Sequence, residues 1–349
     1  MVPQSLQTWF EEKLVELGVE KDVYIEDVFE YISTKEETSE SISRNVDNTT
    51  FSFNDYYRYN QILDYVKSLE ATYENSSSIN LRVIEGGTTS EGRPLMYIKL
   101  SNRTEDTKPI IIVEAGINPR EWITVPSSLN IVTKLLDGGS NRLLSGFEWI
   151  IIPVLNPDGY EYTHTNLRLW TKSRSTQSNL GAICPGVNIN RNFNIDWLAF
   201  DSSSSPCSHL YGGIMAFSEV ESRLIQSLLE EYGSRIRMYI SLQNNGGFIS
   251  YPWQYERAAS GMFVQHHILG MRMIDAMEEN YDLGIASIAY GDRASGTSAD
   301  YMRNAGILYT FNIDVAPRGE SGVIVPREEI PRITEDVWRA VSTAANSIL

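Results

Sequence analysis

Apolar and polar positions change their spacing near residue 45. Before that point, LQTWFEEKLVELG carries apolar residues at helical intervals, DVYIEDV reads as a short strand, and a second helical stretch runs to about residue 35. The polar run KEETSESISRNVDNTT then reads as a linker. Beyond it, the strand-like runs PLMYIKLS, PIIIVEA, EWIIIPVLN, RMYISLQ and ILYTFNIDV alternate with long helical stretches such as WITVPSSLNIVTKLLD and FSEVESRLIQSLLEEYG. In the last of these, Ser218 and Glu221 have the spacing of a capping box. The alternation predicts an α/β sheet with helices on its faces. Loops at the carboxyl ends of such strands form a functional rim, which places GINPREW, LNPDGY, QNNGG and DVAPRG on or near it. The expected division is a segment over 1–45 and a domain over 46–349, with no internal repeat.

Composition fits one large core. The chain has 349 residues, 42% of them hydrophobic and 11% aromatic. Its net charge of −16 argues against a nucleic-acid partner and against an anionic membrane surface. No apolar run approaches the roughly 20 residues of a membrane helix. The start, MVPQSLQTWFEEKL, is acidic and unlike a signal peptide, so Met1 is expected to be an imposed start. The two cysteines, Cys184 and Cys207, lie in loop-like stretches rich in Gly, Ser, Asn and Pro, where a bridge would help order the chain. Sequons at Asn48, Asn75 and Asn102 are compatible with secretion. An extracellular or secretory-pathway glycoprotein is expected.

The run EGRPLMYIKLS, then GINPREWIT, PVLNPDGYEYTHTNLRLWTKSRS, NINRNF, SSSPCSHLYGG, ASGTSADY and YTFNID, resembles the zinc metallocarboxypeptidases of the pancreatic A/B type. Order and spacing agree from about Phe51 to Leu349. The resemblance implies a three-layer fold, a mixed central sheet with helices on both faces. It implies a disulfide between Cys184 and Cys207. It also makes residues 1–45 the second half of a propeptide, ending near a lone Arg44 where a trypsin-like protease would cut.

The same resemblance locates the chemistry. A catalytic zinc of this class takes two histidines and a glutamate and keeps one position open for water. Glu121 is kept, but the histidine positions hold Asn118 and Gln243. An amide nitrogen has no lone pair for a metal, and an amide oxygen is a hard donor suited to calcium or magnesium. The general-base position holds Asp314, one methylene shorter than the family's glutamate. The arginine that polarises the scissile carbonyl is replaced by Thr171, which brings no charge to an oxyanion. The tyrosine that covers the substrate aligns without gaps to Asp292, with Tyr290 as the alternative. The four histidines, His164, His209, His266 and His267, show no ligand spacing and read as structural or surface residues.

The part that recognises a peptide's C-terminus survives. By resemblance Asn190 and Arg191 clamp the terminal carboxylate, for which a guanidinium fork is suited, and Arg120 belongs to the neighbouring subsite. Ala299 takes the specificity position and implies an apolar or weak preference. The leading expectation is a catalytically inactive homologue without zinc, a monomer that binds a peptide C-terminus or a protein partner through the remnant cleft. One alternative is a hydrolase in which Glu121, Asp314 and Asp292 work with another cation or as a carboxylate pair. The other is a structural or storage protein with an unused cleft.

Overall fold

The fold is that of a computed structural model, described here for residues 7–17, 30, 51–104, 107–316 and 322–349. The chain divides into two units, Met1–Thr49 and Thr50–Leu349. In the first, the leading amphipathic pattern forms a helix over Gln7–Glu16. The DVYIEDV strand, the linker and Arg44 lie outside the described residues.

The second unit is built on one eight-stranded sheet. In chain order its strands are β1 (Ile79–Thr88), β2 (Pro94–Asn102), β3 (Ile110–Glu114), β4 (Glu148–Ile152), β5 (Ile236–Gln243), β6 (Phe248–Tyr251), β7 (Asp282–Ile285) and β8 (Tyr309–Asp314). They lie side by side as β1-β2-β4-β3-β5-β8-β6-β7. The central four, β4, β3, β5 and β8, run parallel. The β1/β2, β2/β4 and β6/β8 pairs are antiparallel, so the sheet is mixed as expected.

The continuous apolar run of β3 follows from burial on both faces. Ile111 and Val113 face one core with Trp149, Ile240 and Phe311, under the helices Tyr59–Tyr73, Thr124–Leu136 and Ile330–Ile348. Ile110 and Ile112 face the other with Ile150, Ile152 and Tyr239, against the helix Val220–Tyr232. Each fully buried aliphatic side chain contributes about 1.5–3 kcal/mol. Two packed faces make the three layers.

The start of the helix Val220–Tyr232 departs from the capping-box expectation. Its N-cap is Glu219, with no side-chain cap of its own. Asn192 serves instead from another loop: its Oδ1 accepts from the Glu219 amide at 3.2 Å and from the Ser222 hydroxyl at 2.6 Å. Ser218 is drawn into the same cluster, accepting from Asn192 Nδ2 and donating to Glu219. Residues of NINRNF therefore anchor a helix behind the rim as well as forming part of it.

Cys184 and Cys207 form the disulfide, with Cα atoms 4.8 Å apart. The loop they close holds Asn190, Arg191 and Asp201, so the staple braces one wall of the rim. Replacing both cysteines by serine is expected to lower stability by about 3 kcal/mol, the loop-closure entropy of a ring of this size. Urea unfolding at equal protein concentration reads this directly, and an unchanged midpoint would remove the bridge from the list of stabilising elements.

Candidate functional site

Three parallel strands aim their carboxyl ends at one place. Glu114 of β3 pairs with Ser241 of β5, and Gln243 of β5 pairs with Asp314 of β8. After β3 the chain turns at Gly116, where φ is +63° and an added Cβ would sit 3.1 Å from the Val154 backbone. Glycine is required there on both counts. The turn is tied by the Glu121 amide donating to the Asn118 carbonyl at 3.1 Å and by the Thr124 hydroxyl donating to the Glu121 carbonyl at 2.8 Å. Trp122 stacks on His164 at 3.9 Å and lies 3.7 Å below the Arg168 guanidinium, which fixes the loop from below.

The result is a cleft of about 260 Å³. Asn118, Arg120, Thr171, Asn190, Arg191, Gln243 and Tyr290 all line it. Glu121 and Asp314 are buried just beneath. Ala299 is buried and does not line the cleft. Of the two candidates for the covering position, Asp292 has a side chain 82% exposed beside Arg257 and does not line the cleft. Tyr290 lines the cleft and donates to Asp314 Oδ2 at 2.6 Å.

The metal positions are occupied by hydrogen bonds. Asn118 Nδ2 donates to Glu121 Oε1 at 2.5 Å, and the Asn244 amide donates to Glu121 Oε2 at 2.8 Å. Gln243 Nε2 donates to Ser241 Oγ at 2.7 Å. Both carboxylate oxygens of Glu121 thus face N–H groups. Burial pushes the Glu121 carboxyl up to about 7, with Arg120 pulling it down and Asp314 pushing it further up. Burial also raises Asp314, to about 6, against the Tyr290 hydroxyl and the Asn245 amide that hold its ionised form. The family's zinc does not fit this donor set. One carboxylate and two amides whose nitrogens already donate leave a single good zinc ligand. Among the described residues, no group of three or more His, Cys, Asp or Glu side chains could hold a metal ion.

The charge that a carbonyl oxygen would need is also missing. Thr171 reaches only the His209 carbonyl, at 3.5 Å. Two cations remain on the wall. Arg120 has a buried Nε with no hydrogen-bond partner among the described residues. Arg191 donates to the Asn190 carbonyl and to Asp201. The rest of the lining is largely amide, from Asn188, Asn245, Gln254 and Asn312, with Leu210 as an apolar patch.

Sequence reasoning missed several of these. Asn188 and Asn245 sit inside motifs already singled out, NINRNF and QNNGG, and could have been found there. Asp201 carries no pattern, and His209, inside SSSPCSHLYGG, is expected only as a structural or surface histidine. The other histidines are structural. His164 is stacked, His266 Nδ1 contacts the Met262 carbonyl at 2.8 Å while its Nε2 accepts from the Thr310 amide, and His267 meets the Tyr251 hydroxyl. LNPDGY is not on the wall. Asn156 caps the helix Pro157–Thr165, and Asp158 is held by Thr89 and Arg93.

Comparison with known proteins agrees with this architecture. The family model for zinc carboxypeptidases matches residues 62–340. Carboxypeptidase B of Helicoverpa zea is 34% identical over 306 residues, covering 84% of this chain and 70% of that protein. Carboxypeptidase A2 of Mus musculus is 30% identical over 336 residues, covering 93% of this chain and 78% of its own. The crystal structure of a carboxypeptidase A from Helicoverpa armigera superposes with a TM-score of 0.91 at 28% identity, over 99% of this chain and 87% of that one. Sheet order, rim loops and sequence match together make this chain a member of the zinc carboxypeptidase family, of the A/B type.

Proposed function

We propose that this member is noncatalytic and that its cleft receives a peptide C-terminus, free or at the end of a protein partner. One observation carries the reading. The cleft keeps two arginines, Arg191 and Arg120, the latter with a buried Nε unpartnered among the described residues, while the positions expected for both zinc histidines hold amides bonded to other side chains. Anion recognition is retained where the means of activating water is not. Without a metal or a charge at Thr171, a scissile carbonyl would meet no electrophile, and loss of one such group costs about 10²–10³ in rate. Tyr290 bonded to Asp314 further engages the residue in the general-base position.

The setting proposed is extracellular or secretory, since the Cys184–Cys207 bridge suits an oxidising compartment. No helix among the described residues is long and apolar enough to cross a membrane. Of the described sequons, Asn75 is exposed, whereas Asn102 is half-buried and donates to Ser145 at 3.1 Å.

Calorimetric titration with a peptide and its C-terminal amide tests the reading. The free acid is expected to bind severalfold tighter, with Arg191→Met removing the difference and no hydrolysis product in either case. Equal affinities for acid and amide would refute carboxylate recognition, and turnover would refute the noncatalytic assignment.

A further inference from the structure

Arg191 is not idle. Its Nη2 donates to Asp201 Oδ2 at 2.6 Å, its Nε to the Asp201 carbonyl at 2.7 Å, and its Nη1 to the Asn190 carbonyl at 2.8 Å. Three of five guanidinium donors are taken, and the charge is neutralised by a carboxylate. Asp201 also lines the cleft. Its backbone lies in the left-handed region, at φ +39°, which aspartate tolerates better than most residues with a Cβ. That conformation places both its carbonyl and its carboxylate on one arginine.

The loop is held independently of this pair. Ser295 Oγ accepts from the Ala199 amide at 3.1 Å and the Phe200 amide at 2.9 Å, and the Gly296 amide donates to the Ile195 carbonyl at 2.8 Å. The Arg191 side chain is 12% exposed and that of Asp201 is 38% exposed. The arginine is thus fixed in the wall, while the carboxylate opposite it stands at the solvent edge. It can rotate away with the loop in place.

We infer that Asp201 is a tethered carboxylate occupying the Arg191 clamp, one that an incoming carboxylate must displace. It regulates access to the cleft: the apparent affinity for a peptide C-terminus is the intrinsic affinity reduced by the fraction of time that Asp201 leaves Arg191 open. This rests on the cleft being a carboxylate receptor, as proposed above. A ligand lacking a carboxylate does not compete with Asp201 and gains nothing from its removal.

The test uses fluorescence anisotropy with an N-terminally fluorescein-labelled pentapeptide ending in leucine, as free acid and as amide. Wild type is compared with Asp201→Asn, which removes the charge, and Asp201→Gly, which suits the left-handed backbone. Both variants are expected to bind the free acid about tenfold tighter than wild type does, the gain from releasing a clamp occupied about nine-tenths of the time. The amide is expected to change less than twofold, and adding Arg191→Met to Asp201→Asn is expected to cancel the gain. If wild type prefers the acid and neither variant strengthens that preference, the tethered-carboxylate inference is overturned and the receptor reading stands. If no protein in the series distinguishes acid from amide, both fall. If only the variants distinguish them, Asp201 occupies the clamp as inferred, and the proposal that the wild-type cleft takes a C-terminus is lost.

Discussion

After incubation with zinc and desalting, the wild-type protein is expected to retain less than about a tenth of an ion per chain, and the Asn118→His/Gln243→His double variant roughly one. The contrast follows from lone pairs. Imidazole offers one to a metal and carboxamide nitrogen offers none, so the variant supplies two nitrogens beside the carboxylate of Glu121. Glu121 already stands within 2.5 Å of Asn118 and accepts from the residue after Gln243, so the three positions converge without rearrangement. Its carboxyl, pushed up to about 7 by burial, loses its proton readily once a dication is near. Elemental mass spectrometry gives the stoichiometry. Hydrolysis by the double variant is expected to stay low because Thr171 brings no charge to the oxyanion, and adding Thr171→Arg is expected to raise it about a hundredfold. One zinc per wild-type chain would mean ligands other than Asn118 and Gln243. A folded double variant with no zinc would mean that the strand ends have drifted from a metal-binding geometry.

What the residues made legible has a physical pattern. The strands β3, β5 and β8 are largely buried and read as runs dominated by apolar and β-branched residues, β3 without a break, so their carboxyl ends, and with them Glu121, Gln243 and Asp314, can be placed from the sequence. The outer strands cannot. β1 is half-exposed and ends in Gly-Gly-Thr, while β6 and β7 have four residues each, too few for a period to register. The EWIIIPVLN run was read through Pro153, but its strand stops at Ile152, where proline removes a ladder donor. Asn118 and Glu121 were legible because three residues in a single turn keep them together. The Arg191–Asp201 pair spans ten residues of irregular chain with left-handed turns at Asp196, Leu198 and Asp201, a path no hydrophobic spacing encodes. Ser218 was misassigned for a related reason. A helix start can be capped from another loop, and Asn192 does so.

Stability is expected to fall as pH rises from 5 to 8, and Glu114→Gln is expected to flatten that fall by up to the slope of one bound proton, roughly 1 kcal/mol per pH unit. Glu114 ends β3 inside the protein, its Oε1 accepting from Ser241. Burial pushes its carboxyl up to about 8. Burial likewise raises Glu221 to about 8, Glu121 and Asp300 to about 7, and Asp314 to about 6. For each, the unfolded chain ionises near the ordinary carboxyl value while the folded chain keeps its proton. The stabilising difference is therefore complete below the unfolded value and is lost as pH climbs through the folded one. His164 and His266 act in the opposite direction. Burial lowers them to about 3 and about 4, so they withdraw stability as pH falls below the ordinary histidine range. Five acids outweigh two histidines across the window, and the net slope stays negative. Glutamine mimics the protonated carboxyl at every pH, so the variant should match wild type at pH 5 and exceed it at pH 8. Urea unfolding at pH 5, 6, 7 and 8 separates the cases: parallel lines for wild type and variant would mean that Glu114 ionises as an ordinary carboxyl and that another acid carries the slope.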